Sequence, residues 1–423
     1  MKRLAIKRLS IKRLSMTVLL FFIGMTIFAQ SADMSYYTEE YLRPTGTYFD
    51  RLEVLRTVQN ANLTGTSDFY HEALKFLILK IPDIKTIEDK ENTENSARIL
   101  CKELGDAKFT AAAPEIWQIV QFADTVRADN VRDINDGILM QEALIALGQV
   151  GDKNYVSNIA LRLDNYNTDV VSDVETRRRI QRGVVGCINA LEALHELAGY
   201  SPVFFAYVGW YDPAIKTIAS DALPNIVDDP GEVISGIIQT FSNNPEIKYT
   251  AWQEMLRTKA GDESKAKVAA VALATGWSYS TNEQQAQRVL REMRMSAIDI
   301  IRVMGVQDDS VYANLDRSYS NNFANNAPNY DEIRKTLSTL SALKTDEASQ
   351  LLIKFLRELN DRRRSGIWGN KERDVFSWVV PSLAATKINS PEARQLLTAI
   401  ERSSDYTGTE QRWATEALRE LGQ

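Results

Sequence analysis

The chain has 423 residues, 50 basic and 56 acidic, with only 20 Gly and 11 Pro. That length exceeds one ordinary globular core, so several domains or an extended array are expected. The Gly and Pro content disfavours a loop-rich all-β design, and the hydrophobic fraction of 44% excludes bulk disorder.

Residues 1–29 have the pattern of a secretory signal. Lys2, Arg3, Lys7, Arg8, Lys12 and Arg13 form a basic start, and Met16 to Ala29 is an apolar run. Ala29, Ser31 and Ala32 supply small residues, so cleavage is expected after Ala29, with Ala32 as the second choice. The run is short for a membrane span of about 20 residues. An uncleaved leader would instead tether the chain to a membrane. Removing the six basic residues of the leader leaves 44 basic against 56 acidic, a net charge of −12. That balance disfavours nucleic acid and anionic membranes as general partners. The expected compartment is the periplasm or the exterior, with no membrane span after cleavage.

Residues 30–47 read as a linker. Helical periodicity then predicts helices over 48–61 and 67–80, with the charged run Ile87–Asn95 as a connection. A helix ending in Leu104 meets a Gly105-Asp106 break, and the next carries Ile116, Ile119 and Val120. The same grammar returns where Ala143, Leu144 and Leu147 precede Gly151-Asp152, and Val156, Ile159, Ala160 and Leu163 follow. A long helix is predicted over 173–198. Asp212-Pro213, Asp229-Pro230, Asn244-Pro245 and Ser390-Pro391 each place a capping residue or Asp before Pro, which marks a helix start. Further helices are predicted at 245–258, 263–275, 283–305 and 309–319, then an Asn-rich loop at 320–329. The pair at 331–359 is the clearest. Ile333, Leu337 and Leu340 make one apolar stripe, and Leu352, Phe355, Leu356 and Leu359 another. Thr345 caps the second helix, with Asp346 and Glu347 in its first turn. A basic loop at 362–370, helices at 372–387 and 391–402, and a lone helix at 410–421 complete the chain. No strand alternation is evident.

One such hairpin cannot bury both stripes, so it needs copies of itself. The units of roughly 36–50 residues approach the 40–47 of helical repeats. On Ala143-Leu144-x-x-Leu147-Gly148…Gly151-Asp152, Leu104-Gly105-Asp106…Ala113-Pro114-Glu115-Ile116 and the 331–359 pair, the chain resembles the HEAT-repeat family of short bacterial type. The resemblance implies an all-α superhelical solenoid over 48–423, of about eight helix pairs plus a C-terminal capping helix. It also implies a protein-interaction scaffold.

Chemistry is sparse. The two histidines, His71 and His195, lie far apart in helical context, and Cys101 and Cys187 read as small buried hydrophobes. No metal site, cofactor motif or catalytic constellation is expected: G-x-S-x-G, the P-loop and G-x-G-x-x-G are absent. The tryptophans read as fillers between repeats. Two stretches stand out for partner binding. One is aromatic, with Phe204, Phe205, Tyr207, Trp210 and Tyr211. The other is basic, with Arg362, Arg363 and Arg364 beside Trp368. Each has a plain alternative: a buried second helix for the aromatics, and solvated or acid-paired arginines for the cluster. The irregular stretches 165–211 and 320–329 are the other places where recognition is expected. The sequence thus predicts an exported, non-catalytic scaffold that binds protein partners in the cell envelope. The alternative is an enzyme or ligand-binding module with an aromatic-lined pocket.

Overall fold

A computed structural model describes residues 34–61, 63–125 and 137–422. The predicted signal segment lies outside the described residues. Among the described residues the chain is all-α, with no strand, and no helix is long and apolar enough to cross a membrane. It packs as two compact units, the first ending at Val227 and the second spanning Asp228–Gln423.

The first unit contains α1 (Tyr48–Asn60), α2 (Ser67–Lys80), α3 (Ile87–Asp106), α4 (Ala113–Thr125), α5 (Ile138–Val150), α6 (Val156–Thr168), α7 (Val174–Leu194), α8 (Tyr200–Val208) and α9 (Pro213–Ile226). The second contains α10 (Gly231–Gln239), α11 (Pro245–Arg257), α12 (Asp262–Ser278), α13 (Gln284–Met304), α14 (Asp309–Ala324), α15 (Tyr330–Leu343), α16 (Asp346–Arg364), α17 (Asn370–Ala385), α18 (Pro391–Arg402) and α19 (Gly408–Leu421). Side-chain oxygens begin many of them. Thr47, Thr86, Asp173, Asn244, Thr345 and Thr407 each accept a first-turn backbone N–H that has no partner within the helix.

Several expectations are corrected. Residues 34–42, expected within a linker, are helical. Tyr41 is fully buried against the Phe69 and Phe76 rings of α2, and the Arg51 guanidinium donates to Tyr41 O at 3.2 Å. The charged run Ile87–Asn95 is the first half of α3 rather than a connection: Thr86 caps it, and Glu88 and Asp89 favour its positive end. The long helix stops at Leu194, where His195 turns left-handed. Ser320 to Ala324 extend α14, so the Asn-rich loop is shorter than expected. Arg362–Arg364 form the last turn of α16, where the helix dipole favours cations, and not a loop.

The pairing phase also differs. Helices pack firmly as α2/α3, α4/α5, α6/α7 and α8/α9 in the first unit. In the second they pack as α10/α11, α12/α13, α14/α15, α16/α17 and α18/α19. The Gly-Asp turn at 151–152 therefore joins one pair to the next. So does the Lys344-Thr345 turn, and the 331–359 hairpin straddles two pairs. The C-terminal helix is the partner of α18, not a lone cap. Positive φ occurs at six of these junctions, at Lys108, Gly151, His195, Gly305, Lys344 and Lys387, and also within two pairs, at Gly137 and Gly366. A left-handed residue after the last helical turn satisfies its free carbonyls and reverses the chain.

Pairs then stack. In the second unit α11, α13, α15, α17 and α19 contact in sequence as one layer, and α10, α12, α14, α16 and α18 as the other. The repeat length is written in the polar contacts between layer neighbours, which join residues 36 to 44 apart. His71 meets Glu115, Arg98 meets Glu142, Trp252 meets Ser296, Trp277 meets Ser318 and Lys335 meets Asp299. Close helix approach needs small residues: a Cβ at Gly148 would lie 2.6 Å from Ala190 Cα on α7.

Candidate functional site

The sequence-predicted aromatic stretch is largely internal. Phe204 and Tyr211 are buried, and Phe205, Tyr207 and Trp210 are half-buried. The Trp210 indole N–H donates to Tyr166 O at 3.3 Å, 44 residues away, so it bridges neighbouring pairs. Burial pushes the Tyr211 hydroxyl well above the ordinary tyrosine value.

The basic cluster is likewise engaged within the second unit. Arg362 lies over the Phe323 ring at 4.4 Å and reaches Glu358 and Glu372. Arg363 lies over Trp368 at 4.7 Å and Tyr406 at 5.3 Å, and its Nε donates to Asp405 O at 2.8 Å. Trp368 donates its indole N–H to Glu410 at 3.3 Å. Arg364 is exposed. Structure brings Arg362, Arg363 and Trp368 together, but as the joint between α16, α17 and α19. The aromatic stretch belongs to the first unit.

A different part of the second unit is open. A cleft of about 1060 Å³ runs over the outer face of α12. Its floor is Ala266, Ala270, Val271 and Ala274 on α12. One end is formed by Gln239, Phe241 and Lys248, and the far wall by Met304 at the end of α13 and Val306 after it, with Asn314 and Arg317 on α14. The cause lies in α12 itself. The run Val268–Ala274 is apolar without interruption. Val268, Ala269, Ala272 and Leu273 are buried in the unit, whereas Ala270, Val271 and Ala274 are half-buried and line the cleft. A helix apolar on all faces is normally covered on all faces. Here α10 has nine residues and leaves α12 bare on one side. Alanines on that side keep the floor low.

The mouth is aromatic. Phe241 is 87% exposed, and its ring stands 6.2 Å from Tyr279. With Tyr279 and the alanine floor it forms one continuous apolar surface, the kind of exposed patch that marks an interaction site. Beneath them is a buried cation. Lys248 is 1% exposed, and its Nζ donates to Ile238 O at 2.6 Å and Thr240 O at 2.5 Å. The amine thus closes the carbonyl end of α10. Burial holds its pKa below the ordinary lysine value. At the opposite wall the Asp308 carboxyl is held low by its bonds from the Ser310 hydroxyl and backbone N–H.

A second compartment of about 600 Å³ adjoins the cleft, sharing Ser278, Tyr279 and Arg317. It is lined by Gln287, Arg291, Arg294, Asn321, Asn322, Asn325 and Asn329. The predicted recognition stretch 320–329 therefore does reach a concave surface. Arg294 and Asn322 are buried, and Arg294 is the buried cation. It pairs with both Glu332 oxygens at 2.8 and 3.0 Å, donates to Gly276 O at 2.9 Å and lies 3.8 Å from the Trp277 ring centroid. Sequence reasoning missed the cleft. Its available signal was the seven-residue apolar run on a helix whose neighbour is short.

Cys101 and Cys187 are free and buried, and burial pushes both thiols up to about 12. Among the described residues no group of three His, Cys, Asp or Glu is placed to hold a metal ion.

No family model matches the chain, and no curated protein does. A solved structure that does match is human deoxyhypusine hydroxylase in complex with glycerol. It is 14% identical, covers 85% of this chain and 99% of that one, and has a TM-score of 0.25. That protein is an enzyme, so the expectation that the chain is not an enzyme is not carried forward, although a TM-score of 0.25 carries no argument about this chain. At that likeness no reaction, substrate or residue role passes to this chain.

Proposed function

We propose that the chain is a binding protein built on HEAT-like helix pairs, with the cleft over α12 as its recognition site. The observation that carries this reading is the bare apolar face of α12, with Phe241 exposed at its mouth. Leaving such a face open in water costs about 25 cal/mol per Å² of apolar area, which a ligand recovers on covering it. The leader-like segment directs the reading to the cell envelope, where the stacked pairs offer further surface to protein partners. The arginine cluster at 362–364 and the stretch 204–211 rank below the cleft, because most of their side chains are engaged inside their own units.

A photo-reactive amino acid placed at position 241, 207 or 364 tests the reading in intact envelope preparations. Position 241 should give a discrete adduct that disappears in Ala270→Trp, which fills the floor. Adducts at 207 or 364 with none at 241 would move the site away from the cleft.

A further inference from the structure

The cleft and its neighbour differ in chemistry, and the difference specifies a ligand. The compartment over α12 is mainly apolar, and its charges balance. Lys248, Lys267 and Arg317 stand against Asp262, Glu263 and Asp308, with Lys267 and Glu263 paired at 2.7 Å. The adjoining compartment has no Asp or Glu in its lining. It holds three arginines. The charge of Arg294 is met by Glu332, at 2.8 Å. Arg291 and Arg317 are exposed, and among the described residues neither is joined to an acid. Asn325 accepts Ala327 N–H with its carbonyl at 3.2 Å, leaving its amide NH₂ to donate. Asn321 is exposed beside it.

Arg317 and Tyr279 line both compartments, so an apolar chamber opens at one end onto two guanidiniums and a set of amide donors. We propose that the cleft binds an anionic amphiphile. Its single apolar chain lies over Ala266, Ala270 and Ala274, and its carboxylate or phosphate head sits between Arg291 and Arg317. This rests on the reading of the cleft as the recognition site and names its ligand class. The apolar chamber is at the upper end of ligand sites of about 300–1,000 Å³, so a long chain can be accommodated. Guanidinium forks suit either acidic head through paired N–H donors. A neutral amphiphile would leave the two arginines uncompensated. A compact anion would leave the chamber empty.

The test uses the full chain and calorimetric titration below the concentration at which each probe aggregates. The probes are dodecanoate, dodecyl phosphate, dodecanol and inorganic phosphate. One or both acidic amphiphiles should bind at least tenfold more tightly than dodecanol, and inorganic phosphate should not bind. The two acid arms show which head the arginines select. Shortening dodecanoate to decanoate should weaken binding by about fourfold per methylene. Arg291→Gln/Arg317→Gln replaces exposed side chains only. It should lower acid affinity tenfold or more and leave dodecanol unchanged. Ala270→Trp should abolish binding of every chain. Equal affinity for acid and alcohol, or an arginine variant that binds like wild type, overturns the proposal. If no probe binds while position 241 still cross-links, the amphiphile is wrong and the cleft reading stands. If both fail, both are wrong.

Discussion

The pair Arg294–Glu332 gives the sharpest test of how the second unit is held. Glu332 is fully buried and Arg294 is 8% exposed. They are 38 residues apart, on successive helices of one layer. Glu332→Gln keeps the side-chain shape but removes the charge and replaces one of the two accepting oxygens with an NH₂ that faces an Arg294 N–H. Arg294 is then a buried cation with no countercharge, left to Gly276 O, one amide oxygen and the Trp277 ring. Breaking a buried pair from one side costs about 3–5 kcal/mol. For a unit the length of Asp228–Gln423, each kcal/mol moves Tm by about 2–4 °C. The expected drop is therefore about 6–20 °C by calorimetry. Arg294→Met in the same background removes the stranded charge. The double variant should be more stable than Glu332→Gln alone, with a coupling energy of about 2 kcal/mol or more. Additive losses, or a Glu332→Gln cost under about 1 kcal/mol, would refute the view that this pair is one energetic unit.

Three other outcomes follow from packing and burial. Gly148→Ala pushes a methyl into the α7 backbone and should cost about 1–3 kcal/mol in urea unfolding, whereas Gly151→Ala meets no neighbour but must hold a left-handed φ of 78°. The Lys248 amine has its pKa lowered in the fold, so the unfolded chain holds that proton more tightly. Wild type should therefore gain stability relative to Lys248→Met as pH rises through the folded value towards 10.5, and a difference that shrinks or stays flat contradicts the burial argument. Native protein should show no fast reaction of either thiol with an aromatic disulfide reagent, and both should react once it is unfolded, because burial suppresses the thiolate.

Much of the fold was legible because helices announce themselves locally. Apolar stripes placed α2, α15 and α18 within a residue or two, and Asn244-Pro245 and Ser390-Pro391 begin helices as their capping chemistry requires. The phase of pairing was not legible. The two-residue Lys344-Thr345 link looks like the inside of a hairpin, but only tertiary packing decides which neighbour α15 grips more firmly, and that is α14. Charged residues misled in α3, where Lys90 and Glu94 are buried in spite of their type. The site was hidden for a related reason. Alanines at 270 and 274 look like core filler, and the shortness of α10 leaves them half-buried at the floor of the cleft. Lys248 gave no signal, since its partners are backbone carbonyls.

The left-handed residues between pairs also define where this chain can be shortened or spliced. A deletion running from Lys344 to just before Lys387 would remove α16 and α17 together, one member from each layer. It would leave two matched junctions to be joined. A deletion from Tyr330 to Leu359, following the most visible hairpin, would take α15 and most of α16 from different pairs. It would strand α14 and α17 with bare faces on both sides of the cut. The grammar that organises evolution or engineering of such a chain is therefore carried by its turns, at Lys108, Gly151, His195, Gly305, Lys344 and Lys387, more than by the stripes that make its helices easy to see.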